Sequence, residues 1–304
     1  MADSLPVLVV GSIVLDSIRS PYGESKAALG GSAYYFAAAA SFYANVRMVA
    51  CVGEDFPDEG RHFLEKRGVD VEGFVTMPGK TFAYEAEYGD DPNHRVSLRT
   101  CLNVFEKFHP VLPPLYRSTP VVFLGNIHPA LQMEVLDQVD SPEHVAADTM
   151  NFWISRSRED LERLLRRVDT LFLNDSEAKE LTGEKNLIRA IRRVCEFGPS
   201  TVVLKKGEHG AVLYRENTLS VVPAYPLEIV RDPTGGGDTF AGGVMGYLAR
   251  AGSFDRKTFQ EAMLHGTAAA SFVVEEFGPK RLMQVTSERL EERLRTLRAM
   301  IAIG

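Results

Sequence analysis

The sequence predicts an α/β fold: a three-layer α/β/α sandwich around a mostly parallel central sheet, carrying a small β-sheet lid. Three observations carry this. Short runs of Val, Ile and Leu alternate with helix-period segments through most of the chain. These runs are continuously apolar, as strands covered on both faces must be. One stretch, residues 81–104, breaks the rhythm with a strand–turn–strand pattern that a buried parallel sheet cannot absorb.

Taken in order, strands are expected at residues 7–15, 46–52, 121–124, 145–148, 171–173, 201–204 and 211–214. Helices are expected between them at 32–43, 57–66, 130–139, 158–167, 176–182 and 187–197, and in the last quarter at 238–250, 256–276 and 287–301. Right-handed crossovers between parallel strands then put helices on both faces. In the odd stretch, residues 81–88 and 96–104 read as an antiparallel hairpin about a Gly-Asp-Asp-Pro-Asn turn. Tyr84, Ala86 and Tyr88 fall on one side of its first strand and Glu85 and Glu87 on the other. An aromatic inner face and an acidic outer face suit a cover. The segment with Pro21 and Gly23 lacks helical period and joins the lid. Residues 1–304 are read as a single domain, with a lid formed by about 16–29 and 81–104.

Composition narrows the function. The chain has 304 residues, 45% apolar and 25% charged, the profile of an ordinary globular protein with a large core. Its 34 basic and 41 acidic side chains leave a net charge of −7, which argues against a nucleic-acid partner. Cys51, Cys101 and Cys195 are odd in number and far apart, so neither a disulfide framework nor a zinc site is expected. The N-terminus has no basic region, and the apolar run 6–10 is too short to span a membrane. A cytoplasmic protein with no membrane partner is the expectation.

The most informative segment is Asp232-Pro233-Thr234-Gly235-Gly236-Gly237-Asp238, leading into a helix with Phe240, Val244 and Leu248 on one face. Glycines let backbone N–H groups converge on one point. The helix dipole adds positive potential there, so the segment reads as an anion site. Asp238 stands where an N-cap would stand, and a cap is its bland reading. A cap alone does not need three glycines. A carboxylate beside an anion hole can instead accept a hydroxyl proton.

This segment closely resembles the D-x-x-G-A-G-D signature of the ribokinase-like (PfkB) carbohydrate and nucleoside kinases, with Gly236 in place of the usual Ala. The resemblance implies that Asp238 is the catalytic base, that the amides of Gly235, Gly236, Gly237 and Asp238 form the anion hole, and that Asp232 belongs to a monovalent-cation site for K+. Leu29-Gly30-Gly31-Ser32-Ala33 is similar to the family's N-terminal signature, which contacts the sugar, although Tyr35 replaces the usual Asn. Asp16, ending the first strand segment, resembles the family's substrate-binding Asp. Asn174-Asp175-Ser176-Glu177 is similar to the N-x-x-E motif, which implies Asn174 near the phosphates and Glu177 near Mg2+. A capped helix start is the local reading of the same residues. Lys205-Lys206-Gly207-Glu208-His209-Gly210 resembles the K-x-G-x-x-G nucleotide turn, and His265 falls in a segment like the helix that borders adenine.

For the substrate, Asn126, His128 and Asn151 follow strand ends, and Asp148-Thr149-Met150-Asn151 is one residue longer than the D-x-N of sugar-acid kinases. Trp153 stands where those kinases have Arg, which favours a neutral sugar or a nucleoside. Lid aromatics could stack on a base or simply pack. The resemblance therefore implies ATP-dependent phosphorylation of a hydroxymethyl group, with ATP and Mg2+ as cofactors and lids that can pair two copies of the chain. The alternative is a catalytically silent sugar- or nucleoside-binding regulatory protein on the same fold. Gly79-Lys80-Thr81 is not a P-loop, because Gly73 is one residue too far upstream and a strand follows.

Overall fold

The protein is described by a computed structural model covering residues 4–302. Thirteen strands form two sheets. They are β1 (Val7–Val10), β2 (Val14–Ser20), β3 (Gly23–Gly30), β4 (Val46–Gly53), β5 (Asp70–Met77), β6 (Ala83–Tyr88), β7 (Arg95–Cys101), β8 (Val121–Leu124), β9 (His144–Asp148), β10 (Thr170–Asn174), β11 (Thr201–Lys205), β12 (Ala211–Arg215) and β13 (Thr218–Val222).

The large sheet runs β13-β12-β11-β10-β9-β8-β1-β4-β5. From β11 to β5 every pairing is parallel, and only the β11–β12–β13 end is antiparallel. Side chains alternate across its two faces. Val7 and Val9 of β1 enter one core cluster with the helices Ser32–Ala40, Gly236–Ala251 and Arg256–Val273. Leu8 and Val10 enter a second, with Pro129–Leu136, Arg158–Leu165 and Leu187–Cys195. The middle strands β8, β9 and β10 are almost wholly buried, which is why their central residues are apolar.

The small sheet runs β3-β2-β6-β7. Its β6–β7 pair is the antiparallel hairpin expected from sequence, and β2 pairs antiparallel with β3 but parallel with β6. Ile18, Ala86, Tyr88 and Phe277 bury a small core of their own beneath it.

Several expectations need correction. Residues 7–15 are two strands in two sheets, not one. The chain leaves the large sheet at Gly11, which packs on the Ser32 side chain so closely that a Cβ would lie 2.6 Å from its Oγ. Strands β5 and β13 were not expected, because each is half exposed at a sheet edge and lacks a continuous apolar run. The helix expected from residue 238 starts at Gly236. Among the described residues, no helix is long and apolar enough to cross a membrane.

This topology gathers the motifs. The carboxyl ends of β1, β9, β10 and β11, the N-terminus of helix Gly236–Ala251 and the lid all meet in one crevice, where open α/β sheets bind ligands.

Candidate active site

The glycine turn forms as its sequence requires. Gly235 has φ 76° and caps the helix. Its backbone lies flat on the Tyr35 ring, and a Cβ there would sit 2.4 Å from two ring carbons. Only glycine meets both demands. Asp238 is therefore not the N-cap but lies in the first turn, because Gly236 and Gly237 have already become helical. The N–H of Gly236 donates to the Pro233 carbonyl at 3.1 Å. It is thus spent on the turn, which corrects the expectation that it joins an anion hole. The Gly237 and Asp238 N–H groups are first-turn donors of the kind that a helix cannot satisfy internally.

Asp238 is half-buried among other charges. Burial pushes its carboxyl up to about 7, with Asp148 adding to the shift and Lys205 and Arg95 opposing it. Lys205 Nζ donates to Asp148 Oδ2 at 2.6 Å. Burial works against the Lys205 charge, but Asp148, Glu177 and Asp238 hold its ammonium above the ordinary lysine value. The same ammonium lies 3.2 Å from the space a Gly237 side chain would fill, so it stands beside the glycine turn.

Glu177 is reached through helix capping. Asn174 Oδ1 accepts from the Glu177 N–H at 2.8 Å, and Glu177 Oε2 accepts from the Asn174 N–H at 2.7 Å. This capping box fixes the carboxylate at the carboxyl end of β10. Burial raises its carboxyl to about 7, Lys205 opposes and Asp148 reinforces.

Asp16, on lid strand β2, closes the other side. It is 4% exposed, and burial drives its carboxyl to about 8, with Asp232 and Asp238 adding to the shift and Arg95 opposing. Gly30 makes room for it. Gly31 has φ 100°, and a Cβ on it would strike the Ser12 carbonyl at 2.4 Å. Asp232 Oδ1 accepts from the Thr234 N–H at 2.9 Å and Oδ2 from the Gly278 N–H at 3.2 Å. Its buried carboxyl ties the glycine turn to the loop after helix Arg256–Val273.

This crevice has relatives. The family model described as pfkB family carbohydrate kinase matches residues 7–285. The chain belongs to that family. A cytidine kinase of Thermococcus kodakarensis is 29% identical over 281 residues, covering 90% of this chain and 98% of that one. The crystal structure of a Methanocaldococcus jannaschii nucleoside kinase, an archaeal member of the ribokinase family, superposes with a TM-score of 0.75 at 19% identity over 97% of this chain and 100% of that one. An E. coli structure in complex with ATP and Mg2+ gives 0.76 at 21% identity, over 96% and 99%. The protein is thus a carbohydrate or nucleoside kinase on the ribokinase fold.

Within this pfkB-family frame, sequence reasoning left three contacts unread. Asp148 holds the buried lysine. Tyr88, on the lid, brings its hydroxyl to 3.2 Å from Thr234 Oγ1 in the glycine turn. Arg95, paired across the hairpin with Tyr88, sets its guanidinium 5.3 Å from the centre of the Tyr84 ring, close enough for Asp16, Glu177 and Asp238 to feel its charge.

Other expected residues engage neighbours within the fold. Ser32 turns its hydroxyl onto Ser12, accepting from that N–H at 3.1 Å, because the helix start must satisfy the end of β1. Asn126 Oδ1 accepts from the Trp153 indole at 2.9 Å. Asn151 heads the helix Asn151–Arg156 and spends its exposed amide on Glu180. His265 is 1% exposed, hydrogen-bonds the Tyr43 hydroxyl through Nδ1 at 3.1 Å and stacks on Tyr247. It belongs to the core at the end of helix Ser32–Ala40 remote from Gly31. Gly210 (φ 81°) is a turn residue whose missing Cβ admits the Val222 carbonyl, and Gly207 (φ 54°) faces the lid residue Asn93.

Proposed function

We propose that this chain transfers the γ-phosphoryl group of ATP to the hydroxymethyl group of a nucleoside, with Asp238 as general base. The observation that carries the reading is the placement of Asp238. Its half-buried carboxyl stands beside the glycine turn and within electrostatic reach of Lys205 on one side and Asp16 on the other. A nucleoside is favoured over a simple sugar by the cytidine kinase relative and by an aromatic lid face that suits a flat base.

The chemistry follows from the residues. Asp16 holds the sugar hydroxyls. Asp238 accepts the hydroxymethyl proton as that oxygen bonds to the γ-phosphorus. The bond from phosphorus to the bridging oxygen breaks, and ADP leaves with the electron pair. The amides of Gly235, Gly237 and Asp238 and the Lys205 ammonium stabilise the charge on the transferring group. Asn174, Lys205, Gly207 and Gly210 border the nucleotide in this reading.

Among the described residues no group of three or more His, Cys, Asp or Glu side chains is gathered to hold a metal ion, so a divalent cation would rest on few protein oxygens and on the ATP phosphates. Glu177 and Asp238 are hard oxygen donors that burial has pushed toward protonation, and a cation would return them to carboxylates. Glu177 would hold Mg2+ through water, and the ion would neutralise the β- and γ-phosphate oxygens. Asp232 has no cationic partner among the described residues, and its buried carboxylate suits a K+ ion placed beside the glycine turn. A screen of ATP consumption over nucleosides and sugars tests the proposal. A nucleoside should give the highest kcat/KM, and no turnover with any nucleoside would refute the substrate assignment.

A further inference from the structure

The lid meets the crevice at two points. Tyr88 touches Thr234 in the glycine turn. At the hairpin tip, Asn93 Oδ1 occupies the space beside Gly207, 2.1 Å from where a Cβ would be. Arg95 stands beside the first of these contacts. It is the cross-strand partner of Tyr88, so both side chains leave the same face of the lid sheet. That face turns toward the glycine turn, as the contact of the Tyr88 hydroxyl with Thr234 shows. The Tyr84 ring supports the guanidinium from below.

Arg95 is poorly matched to its present surroundings. Among the described residues it forms no ion pair, whereas Arg99 two turns of the pleat further on pairs with Glu85. Although exposed, it is within electrostatic reach of Asp16, Glu177 and Asp238. These groups mark the acceptor, metal and base sides of the reaction in the reading above. Lys205, the other cation, is already bound to Asp148 and approaches from the sheet. The crevice therefore has an uncommitted positive charge only on its lid side.

Resting on the kinase reading, we propose that Arg95 is a catalytic residue that contacts the transferring phosphoryl group from the lid side, opposite Lys205. Its planar fork matches two phosphate oxygens. Because it rides on the lid, the charge is delivered when Tyr88 and Asn93 are seated on the glycine turn and on Gly207. Lid closure and transition-state stabilisation are then one event, and ATP without an acceptor is left intact.

The test is steady-state kinetics of Arg95→Ala, Arg95→Lys and the outer-face control Arg99→Ala, with MgATP and the best nucleoside acceptor of the wild-type enzyme. Wild-type turnover itself reports on the kinase reading, so the variants report on Arg95 alone. Arg95→Ala should lose about 10³-fold in kcat, the low end for an arginine acting on a transferring phosphoryl group, with KM for ATP within about threefold of wild type. Added guanidinium chloride at millimolar concentration should restore about tenfold, and Arg95→Lys should recover less than about a tenth of wild-type kcat. Arg99→Ala should match wild type. An Arg95→Ala kcat within about threefold of wild type would overturn the assignment. So would a loss confined to acceptor KM, or an equal loss in Arg99→Ala.

Discussion

The Asp16 carboxylate fills the space that a side chain on Gly30 would need: a Cβ there would lie 2.0 Å from Asp16 Oδ2. The two residues lie on the paired lid strands β2 and β3, one supplying the acid and the other the room for it. Gly30→Ala should therefore displace Asp16 while leaving the nucleotide side alone. We expect KM for the acceptor to rise by about tenfold or more, with KM for ATP changed less than about twofold. Equal changes in both constants would show that Asp16 has no separate acceptor role.

A second prediction concerns the pair of Lys205 and Asp148, whose side chains are 18% and 3% exposed. Removing one member leaves the other charge buried and unpaired, which typically costs about 3–5 kcal/mol. Lys205→Met should be strongly destabilised in thermal or urea unfolding at pH 7, and Lys205→Met with Asp148→Asn should regain part of the loss. A single variant as stable as wild type would mean that the pair is solvated.

Acidity gives a third. Asp16, Glu177 and Asp238 have folded-state carboxyls near 8, 7 and 7. Their unfolded values are about 4. Between these limits the folded protein binds more protons than the unfolded one, so its stability falls as pH rises. The ligand-free protein should thus unfold at lower temperature at pH 8 than at pH 5.5. Asp238→Asn removes one of the three acids and should raise Tm clearly more at pH 8 than at pH 5.5. An equal shift at both values would exclude a titrating Asp238.

The sequence carried the glycine turn because Asp232 to Asp238 are contiguous, and their spacing alone implies an anion site. It carried the buried strands because both faces of β8, β9 and β10 are covered. It placed Asp148 after a strand end but not its ion pair, which depends on a lysine 57 positions away that meets it across β10. Arg95 was equally hidden, since an arginine in an exposed strand reads as a solvated charge until the hairpin is folded over the crevice. Edge strands β5 and β13 lacked the apolar runs that identify central ones. His265 misled for the opposite reason: its segment resembles a family element, but rotation about the helix aims its ring at Tyr43 and Tyr247.

The central claim is that Asp238 accepts the proton of the acceptor hydroxyl. The most direct measurement is transfer of γ-labelled phosphate from ATP to the nucleoside by wild type and Asp238→Asn at saturating concentrations of both substrates. Asparagine keeps the size and the hydrogen-bonding oxygen but cannot take the proton. General-base loss should lower kcat by about 10²–10⁴-fold, with ATP affinity retained. A mutant that kept more than about a tenth of wild-type kcat would contradict the assignment.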